Sequence, residues 1–213
     1  MVKAILFDLD GTLADTLEAL GTTVNDVLTE AGLPTHSMSA YRRFVGNGAK
    51  VLMQRAAGEA YHDDLLLQFV AEYDRRCLDD TPPYDGVLNT LDWLKAQGVR
   101  LAVVTNKPHA QALKLTEHLF GDRFDAVYGS QPLYARKPNP EVVHLAMEAL
   151  GVVKEECVFV GDSDVDVQTA HAAGMPCIGC AYGFRGEEEL KAAGADEIVY
   201  SFAELQKNCL IFA

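Results

Sequence analysis

Two segments close short apolar runs with carboxylates, Asp8-Leu9-Asp10-Gly11-Thr12 and Gly161-Asp162-Ser163-Asp164-Val165-Asp166. Two carboxylates at i and i+2 leaving a dry strand are costly unless a cation or hydrogen-bond donors hold them. Asp162 and Asp166 are four apart, so they share one face of a helix that Asp162 would cap, while Asp164 points elsewhere. Three or four acids converging there make a hard-oxygen site suited to Mg²⁺. Lys137, in Lys137-Pro138-Asn139-Pro140, would add a compact positive charge, and Thr105 a hydroxyl. Acids, a divalent cation, a lysine and a hydroxyl together suit phosphoryl transfer, because cation and lysine neutralise the phosphate so that a carboxylate can attack it.

The elements that must position these groups are legible as apolar runs. Val2 to Leu9, Val99 to Thr105 and Cys157 to Val160 read as buried strands, with shorter candidates at Ala126-Val127-Tyr128, Cys177 to Cys180 and Glu197 to Tyr200. Val142, Leu145, Ala146, Ala149 and Leu150 repeat at helical spacing, and Gly151 is placed to stop that helix. Strand alternating with helix predicts an α/β fold, a parallel sheet with right-handed crossovers whose ligands bind at the carboxyl ends of the strands. The acids, Thr105-Asn106 and Gly161-Asp162 all fall at such ends. From Thr16 to about Asp80 the rhythm breaks into helices alone, with one stripe at Leu17, Leu20, Val24, Val27, Leu28 and Ala31 and another at Leu65, Leu66, Phe69, Val70, Tyr73 and Cys77. The economical reading is an α/β core of residues 1–15 and 82–213 carrying a helical cap of residues 16–81.

Composition excludes several classes. The chain has 213 residues, 18 Lys+Arg against 31 Asp+Glu and a formal net charge of −13, so no basic field exists to release counterions from nucleic acid or to hold an anionic membrane. Hydrophobic residues at 49 % supply a core. No apolar run approaches the roughly 18 residues of a membrane helix, and Asp8 arrives too soon for a signal-peptide core. Five cysteines, an odd count, fit a reducing cytoplasm. The sequence leaves a homodimer open.

Asp8-Leu9-Asp10-Gly11-Thr12-Leu13-Ala14-Asp15 resembles the DxDGTxxD opening of the haloacid dehalogenase superfamily, and Thr105-Asn106, Lys137-Pro138 and Gly161-Asp162-Ser163-x-x-Asp166 resemble its next three motifs in order. The resemblance covers essentially the whole chain, places the helical insert where that family carries its type-1 cap, and implies a Rossmann-like core. Within the family, Val45-Gly46-Asn47-Gly48-Ala49, Val104-Thr105-Asn106-Lys107-Pro108 and Lys137-Pro138-Asn139-Pro140 are most similar to phosphoglycolate phosphatases. It implies that Asp8 is the nucleophile and Asp10 the general acid and base. Mg²⁺ would be held by Asp8, the Asp10 backbone carbonyl and Asp162, with Asp166 ordering its waters. Thr105 and the Asn106 N–H would bind phosphate, and Lys137 would bridge phosphate and Asp8.

In the insert, Arg42, Arg43 and Asn47 are the candidates for reading a small phosphorylated metabolite, either arginine forking onto a substrate carboxylate such as phosphoglycolate offers. Lys50 could hint at phosphonoacetaldehyde hydrolase chemistry, but reads better as an exposed helix-start lysine, and Cys177-x-x-Cys180 lacks a second pair and reads as core. A phosphosugar mutase like β-phosphoglucomutase and a pyrophosphatase share the same motifs. Dehalogenation needs no leaving-group acid, which counts Asp10 against it. A phosphate-accepting receiver module carries no cap and is nearer half this length.

Overall fold

The computed structural model describes residues 2–208. Its six strands, β1 (Ala4–Phe7), β2 (Arg100–Pro108), β3 (Ala126–Ser130), β4 (Cys157–Gly161), β5 (Cys177–Cys180) and β6 (Glu197–Val199), form one sheet in the order β3-β2-β1-β4-β5-β6. Every pairing is parallel. The chain winds outward from β1 through β2 to β3, then returns to place β4 on the other side of β1. The topological switch point therefore lies at the carboxyl ends of β1 and β4, where a crevice opens in such sheets.

Alternation along the strands divides the core into two layers. Ile5, Phe7, Leu101, Val103, Val158 and Val160 face one side, where α5 (Val87–Ala96) and α6 (His109–Phe120) cover them together with Phe202 and Leu205. Ala4, Leu6, Ala102, Val104, Cys157 and Phe159 face the other, under α7 (Glu141–Leu150), α8 (Asp164–Ala173) and α9 (Gly186–Ala193). Cys177 and Cys180 belong to opposite layers, so the CxxC cannot converge on one ion, and all four described cysteines are free. Gly151 stops α7 in the left-handed conformation expected of it. A short closing helix, α10 (Leu205–Asn208), follows β6.

Between β1 and α5 lie α1 (Leu17–Glu30), α2 (Met38–Phe44), α3 (Ala49–Ala57) and α4 (Asp63–Arg76), with no strand among them. They close around a third apolar cluster of their own that includes Leu20, Val24, Leu28, Tyr41, Leu52, Met53, Leu65, Phe69 and Tyr73. The sheet side contributes Phe184 to it. Of the expected stripes, Ala31 departs, because it caps α1 and is exposed, and Leu66 and Val70 are half-buried flanks. The two chain crossings touch: Asp15 N–H donates to the Pro82 carbonyl at 3.0 Å, and Tyr84 N–H to the Leu13 carbonyl at 3.1 Å. Among the described residues no helix is long and apolar enough to cross a membrane.

Phe7 shows how tightly β1 is held. Its ring stacks on Phe202 at 5.8 Å and meets Phe124 edge-on at 6.1 Å, with no exposed surface. Phe7→Ala is expected to lower unfolding free energy by about 3–5 kcal/mol, read from urea midpoints at unchanged slope. A loss below about 1 kcal/mol would show that the site refills and that β1 is not the anchor described here.

Candidate active site

Asp8 is the first residue beyond β1, and its N–H still donates to the Val160 carbonyl at 2.9 Å. The sheet ladder therefore fixes where its carboxylate can point. Lys137 Nζ lies 3.0 Å from Asp8 Oδ1 and donates to Asp166 Oδ1 at 2.7 Å, tying the two acids together. Although it comes from a loop, Lys137 is buried, with its ammonium 5.3 Å from the centre of the Phe159 ring.

One helix start differs from expectation. Asp162 does not cap α8. Ser163 does, in a reciprocal box whose return partner is Asp166, which accepts from Ser163 N–H at 3.1 Å and Ser163 Oγ at 2.6 Å. Asp162 is thereby released to turn into the site, where it accepts from Phe184 N–H at 2.7 Å and the Thr12 hydroxyl at 3.4 Å. Two glycines leave room for it. A Cβ on Gly11, whose φ is +84°, would sit 2.4 Å from Asp162 Oδ2, and one on Gly183 would sit 2.3 Å from Asp162 Cβ. Asp164 turns away and pairs with Gln168, as expected.

Asp8, Asp162 and Asp166 each offer an oxygen within 4.8 Å of the others. Three buried acids facing one buried lysine leave negative charge uncompensated. Burial, with Asp166 and Asp10 nearby, raises the Asp8 carboxyl to about 7 despite Lys137. Burial, then Asp166 and Asp8, pushes Asp162 well above its usual range. For Lys137, burial alone would lower the pKa, but Asp166 and Asp8 outweigh it and hold the ammonium charged. A set of hard oxygens short of positive charge fits a small divalent cation.

Asp10 is held by a residue to which the sequence reading gave no role. Lys107, buried near the end of β2, donates to Asp10 Oδ1 at 2.9 Å and to the Tyr73 hydroxyl of α4 at 2.8 Å, with its ammonium 4.5 Å from the Tyr73 ring centre. Nothing local in the sequence marks this trio, whose members lie on β2, α4 and the turn after β1. Thr105 accepts from the Lys107 N–H at 3.2 Å. Asn106 donates to the carbonyls of Gly46 and Lys137 at 3.2 and 3.1 Å, joining the α2–α3 loop to the site, while its Oδ1 is buried with no partner among the described residues.

These groups border a cavity of about 40 Å³ between the sheet edge and the inserted helices. Asp8, Asp10, Thr105, Asn106, Lys107 and Gln111 supply its polar wall, and Leu20, Val45, Leu52, Phe69 and Tyr73 its apolar one. The α2–α3 loop reaches the cavity through Val45, Gly46, Gly48 and Ala49, whereas Arg42 and Arg43 are exposed and Asn47 lies beside the cavity wall rather than in it. Lys50 is exposed near Asp63 on α4, at 3.5 Å.

Comparison with known proteins agrees with this geometry. Residues 5–180 match the family described as haloacid dehalogenase-like hydrolase. The chain is 36 % identical to a phosphoglycolate phosphatase of Pseudomonas putida over 97 % of this chain and 79 % of that one. It is 37 % identical to one of Colwellia psychrerythraea over 95 % of each. The crystal structure of a predicted phosphoglycolate phosphatase from Haemophilus somnus superposes with a TM-score of 0.90 at 34 % identity, covering 97 % of both chains. With the family's ordered motifs converging at the switch point of the expected sheet, the chain belongs to the haloacid dehalogenase-like hydrolases and is a phosphatase.

Proposed function

We propose that this phosphatase is a Mg²⁺-dependent phosphomonoesterase that converts a small anionic phosphate ester, 2-phosphoglycolate, to glycolate and phosphate through a phosphorylated Asp8. The observation that carries the reading is the buried Asp8–Lys137–Asp166 link opening onto a cavity of about 40 Å³.

The chemistry assigns one task to each residue. Asp8 attacks phosphorus, and the bond to the leaving oxygen breaks as Asp10 gives that oxygen a proton. Asp10 then takes a proton from water, which attacks the phosphoryl group and frees Asp8 and phosphate. Thr105 and the Asn106 N–H hold phosphate oxygens, and Lys137 keeps Asp8 aimed while opposing phosphate charge. Asp8, Asp162 and the Asp10 backbone carbonyl would hold Mg²⁺, with Asp166 orienting its waters; bound there, the ion supplies the positive charge this acidic cluster lacks. Residues 16–81 act as a cap on a core of residues 1–15 and 82–213, and the paired crossings near Asp15 and Pro82 give it one stem about which to open and close over substrate. The four cysteines among the described residues are free, which supports a cytoplasmic setting.

Phosphate release from 2-phosphoglycolate, pyrophosphate, β-glucose 1-phosphate, phosphonoacetaldehyde and an aryl phosphate tests the reading. Turnover is expected to need Mg²⁺, to be led by 2-phosphoglycolate, and to fall at least about a thousandfold in Asp8→Asn. Equal slow rates on every compound would remove the named substrate, and an active Asp8→Asn would remove the nucleophile.

Proton linkage offers a second check. The Asp8 carboxyl sits at about 7 in the folded chain against an ordinary 3.8, so between those values the folded state keeps a proton that the unfolded state releases. Without metal, its contribution to stability is complete below the lower value and is lost as pH rises through the upper one. Mg²⁺ competes with that proton, so its gain in melting temperature is expected to be small near about pH 5 and larger near about pH 8. A gain that ignores pH would take Asp8 out of the ion's ligand set.

A further inference from the structure

The cavity holds one cationic side chain, and it belongs to the core rather than to the inserted helices. Lys107 Nζ has three N–H donors, of which Asp10 takes one at 2.9 Å and the Tyr73 hydroxyl another at 2.8 Å. The third has no partner among the described residues. Lys137, the other buried lysine beside these acids, shows what such an ammonium accommodates, since it serves two carboxylates at 3.0 and 2.7 Å. Lys107 serves only one.

Two further features of the same wall favour an anion. Gln111 is 4 % exposed, lines the cavity, and has no hydrogen-bond partner among the described residues. It stands in the first turn of α6, a twelve-residue helix whose N-cap, Pro108, supplies no side-chain cap and also borders the cavity. The unpaired N–H groups of a helix start carry partial positive charge and attract anions. Arg42 and Arg43, the arginines that the sequence suggests for this task, are exposed and do not border the cavity.

We infer that Lys107, seconded by Gln111, is the residue that selects a carboxylate-bearing substrate, binding the carboxylate next to Asp10. The inference rests on the phosphomonoesterase reading above. It is consistent with the chemistry assigned there: a carboxylate one methylene from the leaving oxygen is within reach of an ammonium already bonded to the acid that protonates that oxygen. The Tyr73 hydroxyl and ring brace the ammonium from the α4 side, so the selecting charge is complete only with the inserted helices against the sheet.

The test compares 2-phosphoglycolate with 2-hydroxyethyl phosphate, an ester with the same two-carbon tail and a hydroxyl in place of the carboxylate. The wild-type chain is expected to favour 2-phosphoglycolate by about 10- to 100-fold in kcat/KM, the range of a charge-assisted hydrogen bond. Lys107→Met is expected to bring that ratio close to one, chiefly through a higher KM for the carboxylate ester. Lys107→Arg, which keeps the charge, retains most of the ratio, and Gln111→Leu lowers it by a smaller factor. A Lys107→Met protein that loses both substrates equally would overturn the inference, because the lysine would then serve Asp10 alone. Should that variant fail to fold, a wild-type enzyme that turns over both esters without preference, or a Gln111→Leu variant with an unchanged ratio, would overturn it equally. Absence of Mg²⁺-dependent release from either ester would instead overturn the phosphomonoesterase reading itself.

Discussion

Everything in this molecule is arranged around keeping unbalanced charge dry at the edge of an apolar sheet. Asp8, Asp162 and Asp166 are buried beside a single ammonium, and Asp10 faces another. Carboxylates so placed cost several kcal/mol each unless partners meet them, and the fold supplies partners from four separate stretches of chain. The β1–β4 ladder fixes Asp8, the α8 cap fixes Asp166, the loop after β5 fixes Asp162 through the Phe184 N–H, and Lys137 comes from the loop before α7. Buried apolar layers cover the sheet on both sides of these charges, which gives them a rigid frame and a low dielectric.

The sheet and the order of its polar ends were legible because the signals are local. A buried parallel strand is a continuous apolar run, and the residue that ends it is polar because it meets the crevice. β2 and β3 were read two or three residues short, since Asn106, Lys107 and Ser130 look polar although the strands continue through them. Asp162 looks like a cap, because an acid after a strand normally does that work; only Ser163 and Asp166, one and four residues along, free it. Lys107 was not legible at all. Its meaning depends on Asp10, on the turn after the neighbouring strand β1, and on Tyr73, which approaches it only when α4 folds down over the sheet. The sequence points to Arg42, Arg43 and Asn47 as the residues that read the substrate, whereas the α2–α3 loop borders the cavity through Val45, Gly46, Gly48 and Ala49, not through the arginines that carry an obvious chemical label. Shape contributed by glycine and alanine leaves little trace in a one-dimensional reading.

A division of labour follows from that arrangement. The acids and Lys137 belong wholly to the sheet and its loops, whereas the cavity's apolar wall belongs to the inserted helices. The polar wall is shared at one point, where Lys107 meets Tyr73, and Asn106 adds a second bond across the same boundary to Gly46. The reacting groups can thus stay fixed while the space around the tail of a ligand changes with the packing of α1, α3 and α4.

The two glycines that flank Asp162 carry a consequence for ion choice. Gly11 and Gly183 press backbone against this carboxylate from both sides, and each of its oxygens already accepts a hydrogen bond. Such a group cannot swing to present both oxygens to one ion. Calcium takes roughly six to eight oxygens and tolerates bidentate carboxylates, whereas magnesium wants a small, regular octahedron and keeps several of its waters. For an ion held as proposed above, the two missing methyl groups would act as a gauge on ionic radius and make the larger alkaline-earth ion the poorer fit.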